Sequence, residues 1–208
     1  MTGWGWPALF ALGAFHGINP GMGWLFAVAL GMQEKSIRAV IKSLVPITLG
    51  HAVAIAVVLL LAAFIQVVLP LNYVKISVAG ALVAMGLYRI VRSRHFQWGG
   101  MQVGFAGLTF WSFLMASAHG AGLMVLPVVL KMPPMGAEAG HHMHAFQDPL
   151  TVVMATVVHT AGYLTVTAAT AMLVYQKFGL ALLRTAWVNL DVVWAFALIA
   201  TGCLALIV

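Results

Sequence analysis

The sequence predicts an all-α polytopic membrane protein whose six transmembrane helices form two inverted three-helix repeats. Three observations predict this fold class. Of the 208 residues, 63% are apolar and only 7% are charged, whereas soluble globular chains carry about 25% charged residues. Six apolar segments are long enough to cross a bilayer, and histidine motifs recur in the two halves of the chain. A chain so poor in charge has too little polar surface to face water on all sides, so we expect it to face lipid.

The six apolar segments are separated by breaks that contain nearly all of the charged residues. A bilayer core about 30 Å thick needs about 20 residues at 1.5 Å each. The segments cover residues 7–31, 43–68, 74–91, 104–130, 150–174 and 186–207. We expect a single membrane domain over 1–208, with the first repeat in 1–95 and the second in 104–208.

Ten Lys and Arg against four Asp and Glu give a net charge of +6, and their positions predict the orientation. With both termini outside, only Lys75 and Lys131 lie on the outer side, a clear positive-inside bias. This orientation places the loop 131–149 outside, and we expect the inner membrane of a bacterium. Residues 1–7 hold no Lys or Arg, so we expect no signal peptide. Because orientation accounts for the positive charge, the expected partner is the lipid bilayer and not nucleic acid.

The first segment contains His16 followed by a helix-breaking run from Gly17 to Gly23. Pro20 cannot donate a backbone hydrogen bond to the His16 carbonyl, so we expect the helix to kink or break and to leave that carbonyl free. Asn19, three residues after His16, is expected on the same helix face and adds an amide oxygen. These groups are potential metal ligands, although a proline kink needed only for packing is the alternative.

Histidines recur at matching positions in the two halves. The motifs are Phe15-His16-Gly17 and Ala118-His119-Gly120 in the first and fourth segments, and Gly50-His51-Ala52 and Val158-His159-Thr160 in the second and fifth. An odd number of spans in each repeat makes the second copy insert upside down. Chance similarity between apolar helices is the alternative explanation.

We expect the four histidines to lie near the middle of the bilayer, with His16 and His51 about 12 to 14 Å deep. An imidazole at that depth is costly without a partner, so intramembrane histidines typically face the bundle interior and mark an ion or proton pathway. The alternative is that each ring hydrogen-bonds a neighbouring helix and only stabilises the bundle.

The outer loop 131–149 is rich in metal-binding side chains, which are His141, His142, Met143 and His144, together with Met132 and Met135. Imidazole suits nickel, cobalt, copper and zinc, and thioether sulfur favours copper(I), so the composition leaves the metal open. An exposed loop that is merely rich in histidine is the alternative.

Few other residues suggest chemistry. Asp191 in the sixth segment is a possible coupling acid that needs a partner such as Arg184 or a passing proton, or else an acid at the membrane interface. The lone Cys203 allows no disulfide within the chain. Neither a Ser-His-Asp order nor a pair of catalytic carboxylates stands out, and we expect no enzyme activity.

The run from His16 to Gly21 resembles the His-Gly-x-x-Pro-Gly-His signature of the NicO-type nickel/cobalt efflux transporters, in the LysE-like transporter superfamily. Gly50-His51-Ala52 is similar to the motif that opens their second helix. The resemblance implies a carrier of about six spans, built from inverted repeats, that moves a divalent transition-metal ion through a histidine-lined site. Met22 stands where the signature has its second histidine, which makes Met22 a further candidate ligand and allows a softer metal.

Three functions therefore stay open. The first is transport of a nickel- or cobalt-like ion, or of copper or zinc, with no organic cofactor. The second is a haem-binding electron-transfer subunit with two intramembrane histidines as axial ligands. The third is a chaperone or sensor that hands a metal to a metalloprotein partner through the loop. A homo-oligomer is compatible with each of them.

Overall fold

The computed structural model describes residues 4–68, 70–91, 104–135, 148–178 and 190–207. All regular structure within these ranges is helical, and no described residue lies in a strand, so the all-α prediction is confirmed. The helices are α1 (Gly5–Ile18), α2 (Trp24–Gln33), α3 (Ile37–Val68), α4 (Leu71–Val91), α5 (Phe105–Ala118), α6 (Ala121–Val129), α7 (Pro149–Leu173) and α8 (Leu190–Ile207). A 3₁₀ turn at Pro20–Met22 joins α1 to α2, and a π-helical turn at Val174–Phe178 continues α7.

Two helical stretches are each long and apolar enough to cross a membrane, Ile37–Ile65 in α3 and Pro149–Lys177 in α7 with its extension. The pair α5 and α6 makes a third if the two are counted as one bent span. The described parts of the other apolar segments form shorter helices. The first predicted segment contains two helices, α1 and α2, because the 3₁₀ turn interrupts it. The helices thus support two to three spans and are compatible with a lipid bilayer.

Large apolar side chains are exposed along the outer faces of the long helices, including Leu60 and Phe64 on α3 and Ile76 and Leu87 on α4. Such surface would be unfavourable in water but is favourable against acyl chains. In contrast, α6 is buried over most of its length. The apolar exterior is therefore the side that a bilayer would cover.

Glycines let α1 and α7 pack backbone to backbone. A Cβ atom added at Gly13 of α1 would collide with the carbonyl oxygen of His159, and one added at Gly162 of α7 would collide with the carbonyl oxygen of Phe10. Small residues at such crossings let two helices approach closely. In a membrane, the resulting van der Waals packing holds helices together, because the hydrophobic effect does not act between them. The two glycines hold α1 against the part of α7 that carries His159.

The other two extensive helix pairs, α3 with α5 and α4 with α8, use glycine in the same way. A Cβ atom at Gly50 of α3 would collide with the carbonyl oxygen of Thr109, and one at Gly86 of α4 would lie 2.8 Å from that of Ala195. In terms of the six segments, the pairs are first with fifth, second with fourth, and third with sixth. This pattern is unchanged when the two halves of the chain are exchanged.

Candidate functional site

Three of the four predicted histidines meet inside the bundle. His16 of α1, His51 of α3 and His159 of α7 are completely buried. Their ring centroids lie 5.7 Å apart for His16 and His51, 5.1 Å for His16 and His159, and 5.5 Å for His51 and His159. Helices distant in sequence thus bring three imidazoles into one cluster, which we call the histidine cluster.

His16 has a defined tautomer because its Nδ1 lies 2.8 Å from the carbonyl oxygen of Leu12, one turn earlier on α1. A carbonyl only accepts, so Nδ1 of a neutral ring must donate, and the lone pair then resides on Nε2. A hydrogen bond of this kind is how proteins usually orient a histidine that binds a metal.

His119 repeats the arrangement of His16 in the second half of the chain. Its Nδ1 lies 2.7 Å from the carbonyl oxygen of Met115, again four residues earlier. The residue is buried at the break between α5 and α6, where the helix axis bends by 58°. His119 is also close enough to His51 that two protonated rings would repel each other. It therefore lies at the edge of the histidine cluster.

His51 and His159 differ from the other two histidines. Neither ring nitrogen of either residue makes a hydrogen bond of standard geometry, although all four atoms are buried. Buried polar atoms are nearly always paired, and leaving one unpaired costs about 1 to 3 kcal/mol. His159 has only a looser contact with the backbone of Leu9, so these two rings are the least well paired of the four histidines.

The break predicted at Pro20 is present, but its carbonyl groups are used internally. The prediction of a free His16 carbonyl is wrong, because the chain enters a 3₁₀ turn and the backbone N–H of Asn19 donates to that oxygen at 3.3 Å. The Ile18 carbonyl accepts a hydrogen bond of 2.9 Å from the indole Nε1 of Trp24. These two carbonyl oxygens therefore already accept hydrogen bonds within the protein and are not free to bind a metal ion.

The two other candidate ligands in the first segment have structural partners. Asn19 leaves the helix, with φ −70° and ψ 123°, and its Oδ1 accepts from the backbone N–H of Gly21 at 2.9 Å. The expected position on the helix face of His16 is therefore wrong, since α1 ends at Ile18. Met22 is buried, and its carbonyl oxygen accepts a hydrogen bond from the Tyr163 hydroxyl.

Tyr163 is a component of the site that the sequence interpretation missed. Its ring stacks on His51 with centroids 3.8 Å apart and planes 7° apart, and the residue is completely buried. The available signal was its position four residues after His159, which puts both side chains on one face of α7. No motif marks that spacing, so the residue was not singled out.

The cluster consists of side chains that suit a transition metal, but it does not form a metal-binding arrangement. Within the described ranges, no group of three or more His, Cys, Asp or Glu side chains is arranged to hold a metal ion.

The predicted loop ligands His141, His142, Met143 and His144 lie outside the described residues, and so does the side chain of Asp191, whose backbone belongs to α8. The flanks of the loop are described. The backbone N–H of Met135 donates to Oδ2 of Asp148 at 2.9 Å. The same carboxylate caps α7 by accepting from the N–H groups of Leu150 and Thr151. The two ends of the histidine-rich segment 136–147 are therefore held side by side.

Comparison with protein-family models, curated proteins and solved structures found no match to this chain.

Proposed function

We propose that this chain is a membrane transporter that moves a transition-metal ion through the histidine cluster. The observation that carries the proposal is that the ring nitrogens of His51 and His159 are buried without a hydrogen bond of standard geometry, next to a third imidazole from His16. A bound cation would give the lone-pair nitrogen of each ring the partner that the protein does not supply. The cost of leaving them unpaired would then be recovered each time an ion binds.

The ligand chemistry favours a borderline or soft divalent ion over an alkaline-earth ion. Imidazole suits nickel, cobalt, copper and zinc, whereas magnesium and calcium prefer carboxylate and carbonyl oxygens. The histidine cluster is a neutral set of nitrogen ligands. We therefore propose nickel or cobalt as the substrate, with copper and zinc as the alternatives to be tested beside them.

A carrier, and not a static binding protein, is favoured by the architecture around the cluster. The pairing of the helices is symmetric between the two halves, and the first and fourth segments are both broken beside a histidine. Transporters built from inverted repeats typically bind their ions near the midplane, at discontinuous helices. On this basis we propose six spans in two inverted repeats. From the distribution of Lys and Arg we propose that both termini and the loop 131–149 lie outside, in a bacterial inner membrane.

Flux through proteoliposomes tests the proposal. Purified protein is reconstituted with a metal-sensitive dye inside the vesicles, and Ni²⁺, Co²⁺, Zn²⁺ or Cu⁺ is added outside. We expect saturable flux with the wild type and with Thr165→Ala, a control on the exposed face of the helix that carries His159. His51→Ala and His159→Ala should reduce the flux to that of empty vesicles. No flux with any of the four ions, or equal flux with His51→Ala, would contradict the proposal.

A second set of variants separates a carrier from a protein that hands metal to a partner. Replacing His141, His142, Met143 and His144 by serine removes the loop ligands and keeps the histidine cluster. A carrier should retain flux at saturating metal, because the loop would only raise the local concentration of the ion. A protein that only hands metal to a partner should show no flux in vesicles that lack the partner, with or without the loop ligands.

A further inference from the structure

The ring of His51 is oriented by a neighbouring aromatic ring and not by a hydrogen bond. Neither of its nitrogens has a hydrogen-bond partner of standard geometry. The Tyr163 ring lies face to face with it at 3.8 Å and 7°. Aromatic pairs usually prefer offset or edge-to-face geometry. The attraction between the two rings therefore does not explain the parallel stack, and other contacts of Tyr163 must fix it.

Tyr163 is itself held by the break in the first segment. Its hydroxyl donates to the carbonyl oxygen of Met22, the last residue of the 3₁₀ turn. Gly23 makes room for the hydroxyl, since a Cβ atom there would lie 3.2 Å from the phenol oxygen, and its φ of 136° favours glycine. One side chain thus links α7, the break between α1 and α2, and an imidazole of α3.

We propose that Tyr163 is a positioning residue that holds His51 in its ion-free orientation and ties that orientation to the break. The inference rests on the proposed function, because it explains why three neighbouring imidazoles do not yet form a ligand set. Turning a His51 nitrogen toward His16 and His159 requires the stack with Tyr163 to open. When the Pro20–Met22 turn moves, the Met22 carbonyl oxygen leaves the Tyr163 hydroxyl. The Tyr163 ring can then move away from His51.

Histidine NMR spectra test the positioning directly and without metal. Full-length protein with isotope-labelled histidine is studied in detergent, and His51→Gln identifies the His51 signals. The Tyr163 ring current should shift the His51 ring protons upfield. Tyr163→Leu should abolish that shift. Tyr163→Phe keeps the ring but loses the hydrogen bond to Met22, so its His51 signals should move toward the average of the stacked and unstacked orientations. Tyr73→Phe, on the exposed surface of α4, should change nothing. Identical His51 signals in wild type and Tyr163→Leu would overturn the proposal.

Metal affinity tests the link to the ion. Loss of one hydrogen bond that must break on binding should make Tyr163→Phe bind Ni²⁺ about two- to tenfold more tightly than wild type in calorimetry. If Tyr163 only stabilised the fold, Tyr163→Phe would bind Ni²⁺ as tightly as the wild type or more weakly. Either result would overturn the link between Tyr163 and the ion. A wild-type protein that binds no Ni²⁺ would overturn the proposed function and this link together, whereas the histidine spectra would still decide whether Tyr163 positions His51.

Discussion

The buried histidines differ in what holds each ring, and this difference separates two roles. His16 and His119 each donate from Nδ1 to a carbonyl one turn earlier, so their tautomers are fixed. The ring nitrogens of His51 and His159 make no hydrogen bond of standard geometry, so their tautomers are not fixed in this way. We infer that the first pair frames the site and that the second pair responds to the ion.

Replacing His51 by phenylalanine should separate stability from function. The variant keeps a ring against Tyr163 and removes two unpaired nitrogens, each of which costs about 1 to 3 kcal/mol when buried. We expect the melting temperature in detergent to equal or exceed that of the wild type, while metal flux is lost. His51→Ala, the matched cavity-forming control, should melt lower. A large loss of stability in His51→Phe would mean that the nitrogens are paired in the folded protein.

The sequence singled out the histidines that the fold buries, but it did not predict how their rings are turned. Depth within the apolar segments and recurrence in the two halves singled out His16, His51, His119 and His159. Ring orientation depends on contacts between distant segments, such as the hydroxyl of Tyr163 reaching Met22 across 141 residues. No local pattern encodes such a contact.

Among the elements, the two broken segments differ in whether the local sequence predicted the break. Pro20 predicted the break after α1, since proline removes a helical hydrogen bond. The break between α5 and α6 has no proline and arises instead at Gly120, whose φ of 70° ends the helix. A glycine inside an apolar run is common in membrane helices, so the sequence alone predicted one continuous segment over 104–130.

The contact between α1 and α7 should be as important to the site as its ligands. Gly13→Ala places a Cβ atom against the carbonyl oxygen of His159, and backbone cannot move aside without separating the helices. We expect weaker metal binding and a lower melting temperature although every ligand is present.

Gly80→Ala is the matched control for this substitution. Gly80 lies on α4 with no atom within 4 Å of the added Cβ, and alanine is favoured over glycine in helices by about 1 kcal/mol. The control should bind metal normally and melt at the same or a slightly higher temperature. Normal binding by Gly13→Ala would show that close packing of α1 on α7 is not needed.

For the whole molecule, the charge distribution predicts which surfaces face outward. We expect a membrane-impermeant maleimide to label Lys131→Cys in intact spheroplasts, in a Cys203→Ser background. Arg38→Cys and Lys177→Cys, one in each half, should react only after the membrane is permeabilised, because the positive-inside rule places both inside. Labelling of either inner position in intact spheroplasts would contradict the proposed orientation.

We propose that three imidazoles from separate helices share one ion, and equilibrium binding of Ni²⁺ tests this most directly. The full-length protein is used with His95, His141, His142 and His144 replaced by alanine, so that the four buried histidines are the only ones left. We predict one ion per chain, lost alike on adding His16→Ala, His51→Ala or His159→Ala and retained with Thr165→Ala. The absence of saturable binding, or binding that survives all three histidine substitutions, would contradict the account.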